Sequence, residues 1–532
     1  MVATVLSPIQ QPVRSPLAIA EDVDKRPRVQ AFQFPARSRG YYGERSPHND
    51  VTGITLESVA VHRLASGETE RLKDTGVKEA ASPERLRGSL DGLRPLLGTV
   101  FLIAYAVSAL SQIPAATWVF VGSGIALYTF SVPWANPFHR GMAAIAAVAL
   151  GAAVLTGSFD PAGFLEGLPT YYGIVAVLLV LTVAGYPIRA ARFERHVGDL
   201  LASMSRRGVG LKTAGGGLGH LLGVALDVGS FVLVDAFSRG APREERLGAL
   251  IAAGRGFSFI PMWANLNIMT ATTITLTGVT YPALLAVALP FVIPGMALTL
   301  LAAQRGNPDA GETPANKPSP EAALVPLYPL LLVVVVAVTG YLFPGIQLTT
   351  IIALTIAAVV AVIALPATLA TRRISPATRL ARETRTSLSA SHNEFALFGS
   401  AGILVLSLTQ LGVLEPIGGL FSALPGLLIA PALAVAMALG FIAGVHVIPM
   451  VLLVDAAFPL DAAPSPALWA VAILLGAQSA IMITPFSSSV TMISRLTGKH
   501  PFEVGPGRNW RFCLISSVCG LAYLGLLSVL LL

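Results

Sequence analysis

Only two cysteines occur in 532 residues, Cys513 and Cys519, and both fall in the last apolar run. Neither a disulfide framework nor a zinc cluster can be built from them, so thiol redox chemistry and metal–thiolate sites drop out. Charge is scarce too: Asp, Glu, Lys and Arg make up 12% of the chain against 54% hydrophobic residues, with a mean hydropathy of +0.70. So little polar surface cannot clothe a water-soluble globule, and the composition is that of a membrane protein. Catalytic motifs are missing as well. There is no HExxH, no nucleophile elbow and, within the apolar runs, no pair of acids at helical spacing, and Gly498-Lys499 lacks the upstream glycine of a phosphate loop. ATP is thereby excluded as a power source, no cofactor is implied, and the chain is not read as an enzyme. The net charge of +7 and pI near 9.5 do not call for nucleic acid. The basic residues sit in short loops between apolar runs, where orientation in a bilayer explains them.

Residues 1–93 differ from the rest, holding 13 of the 36 Lys and Arg and 12 of the 29 Asp and Glu without sustained apolar periodicity. They read as a polar, mostly disordered cytoplasmic tail; the stretch lacks the apolar core of a secretory signal. Within it, 79–93 is either a short helix on the membrane surface or a solvated linker. From Leu96 onward, eleven runs meet the requirement of about 20 predominantly apolar residues: 96–113, 115–133, 141–157, 170–187, 247–277, 280–303, 323–343, 346–370, 394–412, 466–497 and 511–531. Two others, 214–237 and 427–458, carry polar or helix-breaking residues near their middles and read as re-entrant hairpins. The expected fold is therefore an all-α polytopic membrane protein of about eleven transmembrane helices and two re-entrant hairpins.

Lys and Arg avoid short non-cytoplasmic loops. With the N-terminus inside, Arg140, the group from Arg189 to Lys212, Arg239 to Arg246, Arg305 and Lys317, Arg372 to Arg385, and Arg495 to Arg511 all face the cytoplasm. The proposed outer loops carry Asp160, Glu166, Glu415 and Asp461 instead. The C-terminus then lies outside, in a bacterial-type cytoplasmic (inner) membrane.

The chain also resembles itself at an offset of 220 residues. Leu233-Val234-Asp235-Ala236 returns as Leu453-Val454-Asp455-Ala456, Leu276-Thr277-Gly278 returns as Leu496-Thr497-Gly498, and Gly256 with Gly476 and Met262 with Met482 keep the register. The topology puts the first hairpin in the inner leaflet and the second in the outer, which makes the repeat inverted, an architecture of secondary transporters. The domains follow: 94–305 as the first repeat unit with hairpin 214–237, 306–322 as a cytoplasmic linker, and 323–532 as the second with hairpin 427–458. Each unit has the order span, short amphipathic arm, hairpin, broken span.

That order, together with AGILVLSLTQLGVLEPIGGLFSAL, ALGFIAGVHVIPMVLLVDA and AQSAIMITPFSSSVTMISRLTG between Ser400 and Gly498, resembles the ion transporter superfamily that includes divalent anion/sodium symporters and arsenite efflux permeases. The resemblance implies a homodimer in which each chain has a scaffold part and a transport part moving in an elevator-like manner.

Four irregular points should meet at the midplane: hairpin tips near Leu226 to Ser230 and Val445 to Pro449, and span breaks at Pro261 to Asn267 and Thr484 to Ser489. A proline removes a helical hydrogen bond, and a following Asn or Ser can cap the half-helix beyond it. The exposed amides at such a half-helix start attract anions. Asn265, Asn267, Thr270, Ser487, Ser488 and Ser489 are therefore the candidate substrate contacts; the plainer reading is that they only satisfy their own broken backbone. Sodium-coupled members of the resembled family carry Ser-Asn-Thr at the hairpin tips. This chain has Asp227 and His446 there, and with Ser230 these are the candidate coupling-ion residues, protons being favoured over sodium. Asp235 and Asp455 read as caps or water contacts near the hairpin ends, and Arg255 as a snorkelling anchor or a partner of an anionic substrate.

The function these residues point to is ion-coupled secondary transport of a small, anionic organic or oxyanion solute. The expected partners are that solute, a proton or sodium ion, the lipid bilayer and a second copy of the chain, with no nucleic acid. A passive channel, the membrane subunit of a binding-protein-dependent transporter and an intramembrane enzyme are the alternatives.

Overall fold

The computed structural model describes residues 83–111, 113–184, 193–305, 324–371, 375–445, 447–457 and 465–531, all within the unit Glu79–Leu532. Apart from turns and short connections these residues are helical, with no β-strand among them. In chain order the α-helices are α1 (Pro83–Ser111), α2 (Pro114–Ser131), α3 (Pro137–Leu155), α4 (Pro161–Ala184), α5 (Phe193–Arg206), α6 (Leu211–Leu226), α7 (Gly229–Ser238), α8 (Arg243–Phe257), α9 (Ile268–Thr277), α10 (Tyr281–Arg305), α11 (Leu324–Leu342), α12 (Leu348–Thr371), α13 (Ser375–Ala390), α14 (His392–Gln410), α15 (Glu415–Ser422), α16 (Gly426–Ile442), α17 (Val447–Ala457), α18 (Pro466–Ala480), α19 (Ser488–Thr497) and α20 (Arg508–Leu531).

Among the described residues six stretches are long and apolar enough to cross a bilayer: Leu93–Ser111, Pro114–Trp134, Pro137–Leu155, Pro161–Leu181, Tyr281–Gln304 and Glu503–Leu531. With such helices the chain is an integral membrane protein. Of the eleven runs expected as spans, 247–277 and 466–497 are each split by a non-helical break where one was expected, so neither half is long enough to span alone. Over their described residues α11 and α12 count among the shorter apolar helices, and α14 turns through 84° into α15. The charged run before Leu93 is not a separate surface helix; from Pro83 it forms the first turns of α1. The rest of the tail, the linker 306–322, His446 and Asp461 lie outside the described residues.

The same order of elements occurs twice. α4, α5, the pair α6–α7 and the broken pair α8–α9 are followed later by α14, α15, α16–α17 and α18–α19. Where the two hairpins were expected, at 214–237 and 427–458, the chain forms the helix pairs α6–α7 and α16–α17. Each second half-helix starts at a capped residue, Asn267 or Ser487, and ends at a left-handed glycine, Gly278 or Gly498, in register with the 220-residue offset.

Close packing explains which glycines sit where. Gly215 and Gly219, one turn apart on α6, let the backbone of α8 come near. A methyl group built on Gly215 would stand 2.6 Å from Ala249 O, and one on Gly256 would run into Gly216 O. In the second copy a methyl on Gly476 would meet Ala434 O. Hairpin and broken span are thus held at backbone contact in both copies. Gly256→Ala and Gly476→Ala should each destabilise the protein by about 1–3 kcal/mol. Gly217→Ala, with open space at its Cβ, should leave the thermal unfolding midpoint unchanged or raised.

Candidate functional site

A helix interrupted inside a membrane must find partners for the backbone groups it frees. At the first break a short 3₁₀ turn, Ile260–Met262, leads to an irregular stretch before α9 begins. Asn267 caps α9, its Oδ1 accepting from Met269 N–H at 3.1 Å. The Thr270 hydroxyl donates to Pro261 O across the break. Asn265 is fully buried; its Nδ2 donates to Val333 O of α11 at 3.1 Å, whereas its Oδ1 has no hydrogen-bond partner. At the second break Ser487 caps α19 through Val490 N–H at 3.1 Å. Ser488 is exposed, and Ser489 is buried with an unpartnered Oγ.

The six candidate contacts therefore divide. Asn267, Ser487 and Thr270 are occupied by their own backbone, as the plainer reading anticipates. Ser488 is exposed, while Asn265 Oδ1 and Ser489 Oγ are buried oxygens with unused capacity. Three more buried hydroxyls without partners, on Thr272, Thr273 and Ser479, lie on the elements flanking the breaks.

The tips differ. Helix α16 ends in a glycine-terminated Schellman turn: Gly444 has φ 93°, and Val445 N–H donates to Gly440 O at 3.0 Å. Helix α6 ends on Asp227, which has φ 50° and is the sole non-glycine with positive φ among the described residues. Conformations of this kind cost roughly 1–3 kcal/mol unless the surroundings fix them. Here Ser230 does the fixing, both its N–H and its hydroxyl donating to Asp227 O, at 3.1 and 2.8 Å. The Asp227 residue itself is exposed. Each tip lies on its own break: methyls built on Gly223 and Gly444 would touch Ile260 and Phe486 respectively, at 2.5 and 3.4 Å.

The two broken spans also meet. Gln478 Nε2 donates to Ser258 Oγ at 3.4 Å, and these positions are separated by the same 220 residues as the repeat. Ser516 donates to Gln478 Oε1 at 2.9 Å and Ser258 to Arg255 O at 2.7 Å, which completes a buried polar chain.

Sequence reasoning missed one group altogether. His220, on the first hairpin, donates from Nδ1 to Gly256 O at 2.8 Å and accepts the Trp263 indole N–H on Nε2 at 3.2 Å. That pairing fixes a neutral tautomer. Tyr281 Oη then donates to Trp263 O at 2.7 Å, so the first break is braced from both sides. The available signal was a lone histidine in a glycine-rich apolar run. Two other readings change. Asp235 is neither a cap nor a water contact: it is buried and paired with Arg246 at 2.7 Å and Arg239 at 3.3 Å. Arg255 binds Asn509 Oδ1 and Arg508 O, each at 2.8 Å, and so ties α8 to α20. Among the described residues no three or more His, Cys, Asp or Glu side chains converge as a metal site would need.

No protein-family model and no curated protein matches the chain. Among solved structures it is similar to one described as the crystal structure of the Alcanivorax borkumensis YdaH transporter, which "reveals an unusual topology". The TM-score is 0.50 and the identity 16%, over 74% of this chain and 98% of the other. The chain thus has the fold of a membrane transporter.

Replacing a cap and replacing a free hydroxyl should have different effects. Ser487→Ala should lower stability by about 0.5–2 kcal/mol through loss of the cap. Ser489→Ala removes no hydrogen bond and should leave the unfolding midpoint in detergent within about half a kcal/mol of the parent, as for substitutions that break no contact.

Proposed function

We infer that the chain is a secondary transporter of a small anionic solute, organic or oxyanion, driven by a proton gradient. One observation carries the reading: two membrane helices break at positions 220 residues apart, each restarts at a capped half-helix, and a buried oxygen with spare capacity sits beside each restart. Two half-helix starts of this kind make a pair of anion-attracting ends. The fold shared with a transporter supports the same assignment. The resemblance to the ion transporter superfamily adds inverted repeats, a homodimer and elevator-like movement.

Asp227 is the group assigned to proton coupling. It terminates a helix at a hairpin tip in a conformation that glycine would adopt more easily, and it is exposed where a proton can reach it. In proteoliposomes, a screen of small carboxylates and oxyanions should find a solute accumulated against its gradient when the exterior is acidified. Asp227→Asn keeps the shape and removes the titration, so it should eliminate pH-driven accumulation while sparing solute exchange. Accumulation unaltered at every imposed gradient would refute proton coupling through this residue.

The inverted arrangement has its own test. With Cys513 and Cys519 replaced, single cysteines at Gly240 and Ala423, both exposed near the hairpin ends, should be labelled from opposite faces of the membrane. Labelling of both from one face would rule out inversion.

A further inference from the structure

Helix α10 contains Pro290 and Pro294, neither of which has an N–H, so the carbonyls of Ala286 and Pro290 lose their helical donors. Helix α20 runs alongside it. Tyr523 joins the two, donating from Oη to Val287 O at 2.5 Å and packing against Phe291 with ring centroids 5.7 Å apart. Between α10 and α20 lies a groove of about 1150 Å³. That exceeds the roughly 300–1,000 Å³ of pockets for compact small molecules. Leu298, Leu301, Ile515 and Leu526 line it and are 66%, 53%, 64% and 56% exposed, so the groove opens sideways to hydrocarbon.

One end is different. Arg255, Arg508 and Arg511 all reach the groove together with Trp510, and its lining contains no Asp or Glu. Arg255 is held in place by Asn509 and Arg508 O. The Arg508 side chain is 43% exposed and is only partly offset by Glu244 at 3.3 Å and Glu503 at 3.8 Å, which lie outside the lining. Arg511 is exposed, its guanidinium 5.2 Å from the Trp510 ring centre. Tryptophan and arginine at one level of an apolar surface mark the headgroup region. Guanidinium groups bind phosphate oxygens with two parallel hydrogen bonds.

We propose that this groove holds an anionic phospholipid, its acyl chains along α10 and α20 and its phosphate at Arg508 and Arg511. A second copy of the chain is the less suitable occupant. A two-fold axis along the membrane normal would bring both arginine clusters to the same depth against each other, and like charges in a desolvated contact repel. The site is separate from the transport reading, and it stands or fails without it.

Native mass spectrometry of the delipidated full-length protein, titrated with phosphatidylglycerol or phosphatidylcholine, tests this. Phosphatidylglycerol should bind once per chain, well ahead of phosphatidylcholine. The double substitution Arg508→Gln with Arg511→Gln should weaken it about thirtyfold, each arginine near the surface contributing roughly fivefold. Ile515→Trp, which fills the groove and keeps both arginines, should weaken binding with an unchanged unfolding midpoint. Equal affinity for the two lipids, or phosphatidylglycerol binding that survives both changes, overturns the proposal. So does an Ile515→Trp protein that binds the lipid normally but no longer dimerises, because the groove is then a subunit interface.

Discussion

A peptide group inside hydrocarbon has no water to turn to, and each one left unpaired costs several kcal/mol. This constraint governs every irregular point in the structure. Breaking α8 from α9 and α18 from α19 frees carbonyls and amides, and polar side chains stand beside them. Asn267 and Ser487 take the amides at the restarts, Thr270 takes a carbonyl left at Pro261, and His220 donates to Gly256 O. Arg246 reaches across from α8 to Leu496 O at 3.0 Å, near the far end of α19, while its own charge is met by buried Asp235. Most of the polar side chains near the breaks are already committed to backbone. The few that are not, Asn265 Oδ1 and Ser489 Oγ foremost, stand out for that reason.

The two copies solve one geometric problem with different chemistry. Both place a glycine where hairpin and broken span touch, both cap the second half-helix and both stop it at a left-handed glycine. The tips diverge: Gly444 turns the second hairpin without strain, and Asp227 turns the first with it. Packing alone favours glycine at both places, since only glycine adopts such a backbone freely. A carboxylate at one tip is therefore not explained by packing alone.

Much of this was legible in the sequence because the signals were local. Proline followed by Asn or Ser in an apolar run marked both breaks, and the 220-residue offset placed Asn267 with Ser487 and Gly278 with Gly498. The helix pairs α6–α7 and α16–α17 fall where the sequence pattern places its two polar-centred apolar runs. What was not legible depended on distant partners. Asp235 was read as a cap because nothing near it in sequence announces a pair with Arg246, eleven residues away on another helix. Arg255 was read as an anchor or a substrate contact, yet its partners are Asn509 and Arg508, more than 250 residues further on. His220 gave no periodic or motif signal; its role exists only because Trp263 and Gly256 come to it.

These distant contacts also constrain how the protein can move. Backbone-to-backbone packing between α6 and α8, and between α16 and α18, leaves no slack for sliding, because such contacts are held or lost and do not stretch. Ser258 and Gln478 link the two broken spans at their repeat-related positions, and Arg246 links α8 to the end of α19. Any motion that separated one hairpin from its break, or one broken span from the other, would strand buried polar groups in hydrocarbon. A motion that carries both hairpins and both broken spans together keeps these contacts, and it keeps Asn265 on Val333 O and Gln478 on Ser516 when α11 and α20 move with them. The constraint that shapes the breaks therefore opposes local opening between a hairpin and its broken span.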